Sequence, residues 1–155
     1  MSTFASAADH RALPLLDKRD LDAPLAWRDG VPVSARRFLA DARQMASRLP
    51  LGGPAINLCN DRYAFAVGLV AALMRGQASL LPPDARPDTL ARLHESGDDC
   101  YALTDDAALA APGLARVLVE LSATDEVQEG SVPSFDAARP AVSLLTSGST
   151  GVPQA

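Results

Sequence analysis

Lysine is almost missing from this chain of 155 residues: Lys18 is the sole example, and every other basic residue is arginine. Basic residues are also outnumbered, 14 against 19 acidic ones, for a net charge of -5. That balance excludes a basic surface for nucleic acid or for an anionic membrane as the main partner. Cysteine is scarce too. Cys59 and Cys100 show no CxxC spacing, which excludes a disulfide framework and a thiolate zinc site and leaves two small hydrophobes. His10 and His94 stand apart from each other and from the cysteines, and read as surface positions. No apolar run approaches the roughly 20 residues that a membrane helix needs; the longest is Ala64 to Met74. The start of the chain lacks a basic stretch followed by an apolar one, so no secretory signal is read there. Together these absences predict a cytoplasmic protein. Repeats and low-complexity tracts are absent as well.

What is present is ordinary for a globular domain: 48% hydrophobic and 21% charged residues. The length suits one domain with a core. Residues 1–23 show no sustained period and read as an irregular lead-in. Leu25 to Val33 reads as a hairpin, with Asp29-Gly30 suited to a type I′ turn. Trp27 on that hairpin is expected to anchor the core. Ser34 is a good N-cap for a helix over Ala35 to Leu49, with Phe38, Leu39, Ala42, Met45, Ala46 and Leu49 on one face. Arg36 and Arg37 read as its solvated side.

Gly52-Gly53-Pro54 ends that helix. Ala55 to Cys59 reads as a buried strand. Asn60 or Asp61 caps the next helix, Tyr63 to Arg75, and Gly76 falls where a C′ glycine belongs. That helix is apolar nearly all round, which predicts burial on more than one side. Ser79-Leu80-Leu81 is a second strand. Pro87 fits position N1 of a third helix, which ends near Gly97. Tyr101 to Leu103, Arg116 to Val119 and Val142 to Leu145 read as further strands, with Ser122 to Arg139 as a surface connection. Strands alternating with helices predict an α/β fold: a Rossmann-like, mostly parallel sheet with flanking helices.

The last strand runs into Thr146-Ser147-Gly148-Ser149-Thr150-Gly151. Gly148 and Gly151 permit backbone angles closed to other residues. Successive N–H groups can then converge on an anion, and the hydroxyls of Thr146, Ser147, Ser149 and Thr150 add neutral donors for phosphate oxygens. The run lacks the Gly-Lys pair of a Walker A loop. On residue types alone, a flexible Ser/Gly turn is as good a reading.

The stretch Thr146 to Pro153 resembles the phosphate-loop motif of the adenylate-forming superfamily: acyl-CoA synthetases, luciferases and nonribosomal-peptide adenylation domains. The upstream elements are similar to that family's opening hairpin and helix and to its first strand–helix–strand units. The resemblance covers residues 24–155, which makes this stretch the N-terminal part of an AMP-binding domain that stops after the phosphate loop. It implies contacts from Thr146, Ser147, Gly148, Ser149, Thr150, Gly151 and Gln154 to the phosphates of ATP, supplied with Mg2+. The implied reaction activates a carboxylic acid to an acyl-adenylate and passes the acyl group to a thiol, of CoA or of an acyl or peptidyl carrier protein. It implies no catalytic residue and no metal ligand within these 155 residues. Gln154 departs from the lysine usual there; the arginine bias of the chain would have kept the charge. A stretch that stops at this point is expected to be inactive alone and, with apolar faces bare, to self-associate or form a homo-dimer. A non-catalytic binding module and an unrelated nucleotide-binding α/β domain are the other readings of the same residues.

Overall fold

The computed structural model describes residues 11–17, 20–96, 99–121 and 130–146. The elements in chain order are β1 (Ala12–Pro14), β2 (Pro24–Arg28), β3 (Val31–Ser34), α1 (Ala35–Arg48), β4 (Ala55–Asn57), α2 (Arg62–Met74), β5 (Ser79–Leu81), α3 (Pro87–Glu95), β6 (Tyr101–Thr104), β7 (Ala115–Leu118), β8 (Ser134–Asp136) and β9 (Val142–Leu144). Five strands form one parallel sheet in the order β7-β6-β4-β5-β9. The α/β reading of the sequence holds.

Local chemistry explains most boundaries. Asp29 and Gly30 both have positive φ, 51° and 78°, as a type I′ turn requires between β2 and β3. Ser34 Oγ accepts the N–H of Arg37 at 3.2 Å and starts α1. Asp61 does the same for α2, through Ala64 N at 2.8 Å. Gly76 ends α2 at φ 68°. Pro87 opens α3.

Alternate strand residues face two cores. Ala55, Tyr101 and Leu103 join Phe38, Leu39, Met45, Tyr63, Val67 and Ala71, which places α1 and α2 on one side of the sheet. Ile56 and Ala102 point the other way and meet Leu90 of α3 together with Leu114. From Tyr63 to Met74 no residue of α2 is fully exposed, as its apolar circumference predicts.

The structure adds elements where none is expected. The lead-in contains β1, and the surface connection contains β8; the two pair antiparallel, Leu13 opposite Phe135. Neither has a period long enough to read, since each is three residues.

Polar groups inside the sheet are mostly matched. Tyr101 donates to Gln77 Oε1 at 2.7 Å, and Gln77 Nε2 donates to the carbonyls of Pro50 and Gly52. Among the described residues, Ser79 Oγ is the buried side-chain polar atom without a hydrogen-bond partner, on a residue 0% exposed. A buried hydroxyl that lost its water carries a desolvation penalty of about 1–3 kcal/mol. Ser79→Ala removes that penalty at nearly constant shape. Its unfolding free energy from urea titration is expected to equal or exceed that of the wild type, by up to about 1 kcal/mol after the lost packing is subtracted. A clear loss of stability would show that the hydroxyl has a partner.

Candidate functional site

In a parallel sheet every strand ends on the same edge, and ligands of such sheets bind there. The carboxyl edge here is formed by Asn57 of β4, Leu81 of β5, Thr104 of β6 and Leu144 of β9. The way out of β4 crosses the face carrying α2, whereas the chain between β6 and β7 packs on the other face through Ala111 and Leu114. The strand ends therefore diverge between β4 and β6. Asp105 closes the gap: its carboxylate accepts the N–H of Asn60 at 2.9 Å and that of Asp61 at 2.7 Å. Asp105 directly follows β6, and nothing in its spacing announces this bridge over 45 residues.

Cys59 lies beside that bridge, half-buried. Burial, followed by the charges of Asp105 and Asp61, pushes its thiol up to about 12. The thiolate is the nucleophilic form, so Cys59 is inert at neutral pH, as expected for a packed cysteine.

On the opposite flank, Leu145 N–H donates to Leu81 O at 2.9 Å, so β9 stays zipped to β5 up to the edge. Thr146 follows and is exposed. The structure thus puts the first residue of the hydroxyl and glycine run at the carboxyl edge. Ser147, Gly148, Ser149, Thr150, Gly151 and Gln154 lie outside the described residues. Near the end of β5, Asp84 holds Arg86 at 2.7 Å, and the hydrogen bonds from Arg86 and Thr89 keep its carboxyl well below the usual range.

A second concavity lies between the hairpin and the start of α2. It is an open cleft of about 390 Å³ lined by Trp27, Arg28, Asp29, Asn60, Asp61, Arg62 and Tyr63. Trp27 is 65% exposed at its rim and does not anchor the core as expected. The hairpin buries Leu25, Ala26 and Val33 against the core instead. The guanidinium of Arg28 sits 5.2 Å from the Tyr63 ring centroid. Below it, Tyr63 donates to Asp41 Oδ2 at 2.8 Å and Arg37 Nε to Asp41 Oδ1 at 3.0 Å. Arg37 is therefore no solvated side chain: it neutralises a buried carboxylate on the apolar side of α1. His94 is exposed, as read. No group of three or more His, Cys, Asp or Glu is gathered for a metal ion among the described residues.

Burial raises three acidic groups together: Tyr63, Tyr101 to about 12, and Cys59 to about 12. For Tyr63 the hydrogen bond to Asp41 and the Asp41 charge add to burial. Each is neutral in the fold and ionises more readily once unfolded. Their contribution to stability is complete below the ordinary thiol and phenol values and is lost as pH rises through the folded ones. Urea unfolding is expected to show a plateau up to about pH 9 and a steep fall between pH 10 and 12. An unchanged midpoint at pH 11 would contradict the burial of these groups.

No family model matches the chain, and no curated protein does. Solved structures do. A malonyl-CoA ligase in a ternary product complex with methylmalonyl-CoA and AMP is 26% identical, with a TM-score of 0.63 over 89% of this chain and 30% of its own. The N-terminal subdomain of NpsA from Klebsiella oxytoca is 16% identical, with a TM-score of 0.60 over 79% of this chain and 34% of its own. The fold is that of the N-terminal subdomain of adenylate-forming enzymes. O-succinylbenzoate coenzyme A synthetase from Bacillus subtilis, in complex with AMP, shares the subdomain at 20% identity and a TM-score of 0.60, over 83% of this chain and 36% of its own. The chain spans about a third of the length of these enzymes. Within the subdomain no helix among the described residues is long and apolar enough to cross a membrane.

Proposed function

We propose that this chain is the phosphate-handling part of an adenylate-forming ligase. The observation that carries the reading is the position of the hydroxyl and glycine run. Its first residue, Thr146, is exposed at the carboxyl edge of a parallel sheet with this subdomain's fold, just beyond β9, whose Leu144 lies opposite Leu81 of β5. The exposed Thr146, followed by Ser147, Gly148, Ser149, Thr150 and Gly151, would hold the phosphates of ATP through backbone N–H groups and neutral hydroxyls. Gln154 offers a further hydrogen bond without charge. Such donors fit a polyphosphate whose charge is partly met by its own Mg2+.

In the proposed reaction a carboxylate oxygen attacks the α-phosphorus, the α–β phosphoanhydride bond breaks and pyrophosphate leaves. The thiol sulfur, of CoA or of a carrier protein, then attacks the acyl carbonyl of the adenylate; the thioester forms as the acyl–phosphate bond breaks, and AMP and the thiol proton leave. The subdomain contributes positioning and stabilisation of the charge that develops on the leaving pyrophosphate.

Since the chain is about a third of the matched enzymes, turnover is assigned to a longer polypeptide that includes it. Carboxylate-dependent ATP–pyrophosphate exchange by that polypeptide tests the reading, over a panel of aryl, alkyl and dicarboxylic acids. Exchange above background with at least one acid is expected. A folded enzyme that stays at background with the whole panel would overturn the assignment.

A further inference from the structure

β9 is held by little that belongs to it. Val142 is 40% exposed and Leu144 74%, while the inward position is the small polar Ser143. Register in a sheet is normally fixed by burial of one face, and a slip is weakly opposed where that burial is missing. At an edge strand of three residues, something else must set it.

The chain just before β9 is pinned at several points. β8 pairs with β1, and the ribbon is extended at both ends by Leu15 N–H to Pro133 O at 2.8 Å and Ala137 N–H to Arg11 O at 3.0 Å. Leu16 and Val132 anchor it to the core beside α1 and α2. Five residues separate β8 from β9. Within them, Arg139 N–H closes a turn on Asp136 O at 3.1 Å, and the Arg139 guanidinium reaches Gly76 O at the end of α2. Ala141 O then accepts the N–H of Ser79, the first residue of β5.

We propose that the β1–β8 ribbon is a positioning strap: the segment near the start of the chain sets the register of β9 and, through it, where Thr146 emerges. β9 inherits its alignment on β5 from a tether fixed to α2 and to β1, rather than from its own side chains. The register claim needs no ligand. Its consequence for phosphate binding rests on the proposed function.

Hydrogen exchange read by mass spectrometry on the whole chain separates the two. Within residues 143–145 the reporters are the amide of Leu145, bonded to Leu81 O, and that of Ser143, which faces β5 in the same ladder. The amides of β4, central in the sheet, serve as the folding control. Leu15→Pro deletes the N–H that joins the ribbon to Pro133. Arg139→Met deletes the clamp on Gly76 from a side chain 66% exposed, which leaves both cores intact. In each variant, exchange at 143–145 is expected to rise about tenfold or more while β4 stays protected. Faster exchange confined to 133–137, with 143–145 at the wild-type rate, would overturn the proposal. If Leu15→Pro also exposes β4, Arg139→Met alone decides. No nucleotide is added, so this result is independent of whether the longer polypeptide makes adenylates.

Discussion

Replacing Gly53 with alanine is expected to cost about 2–5 kcal/mol, a large part of the roughly 5–15 kcal/mol that holds a domain of this size together. Two effects add. Gly53 has φ 73°, where a side chain costs about 1–2 kcal/mol. A Cβ there would also lie 1.8 Å from the carbonyl oxygen of Asp99, a backbone atom that cannot swing aside. Gly53 leads into β4 and Asp99 into β6, and Tyr101 N–H already bonds Pro54 O at 3.3 Å. Relief therefore means prising apart the two central strands at their amino ends, an overpacking cost of about 1–3 kcal/mol. Gly52 is the internal control. Its φ is 76°, and nothing lies within 4 Å of its Cβ position, so Gly52→Ala carries the backbone term alone, about 1–2 kcal/mol. Urea unfolding of the two variants should differ by the overpacking cost, about 1–3 kcal/mol. Equal losses would mean that the Gly53–Asp99 approach does not exist in solution.

That contrast also marks what sequence can carry. Gly52-Gly53-Pro54 reads plainly as a break, but which of the two glycines is crowded depends on Asp99, 46 residues on in sequence. The same division runs through the molecule. Ser34, Asp61, Gly76 and Pro87 act within a turn of their own helix, and their roles are legible. Asp41 bonds Arg37 at i,i+4, which is readable, and Tyr63, which is not; only the second contact explains why a carboxylate sits on the apolar side of α1. Trp27 reads as core because large aromatics usually bury, yet its neighbours on the hairpin fill that role. β1 and β8 have no periodic signal at three residues, so the strap could not be foreseen. At the candidate site, the sequence supplies the motif, and the fold supplies the address of its first residue, Thr146, at the carboxyl edge.

The hydroxyls of that motif are expected to matter for turnover and not for folding. Ser149→Ala and Thr150→Ala, made in the longer polypeptide, should each lower carboxylate-dependent ATP–pyrophosphate exchange by about 10–100-fold. The basis is that a hydrogen bond to a charged group is worth about 1.5–3 kcal/mol and that losing one donor to a developing anion costs about as much or more. Both side chains are small and polar, with little apolar area to lend a core, so thermal midpoints should match the wild type. Gln154→Lys runs the other way. An added cation near phosphate is worth about 0.5–1 kcal/mol at an exposed site, a few-fold gain in affinity for ATP or pyrophosphate. It should shrink as salt rises, because the Debye length falls to about 3 Å at 1 M. Isothermal titration at two ionic strengths reads this directly. Alanine variants that melt and turn over as the wild type would reduce the run to a plain turn and remove the main support of the ligase reading. If they lose activity at unchanged midpoints, the run binds phosphate. The lysine variant then decides whether charge at 154 was given up at a cost or was never needed, since a gain that vanishes in salt can come only from the added cation.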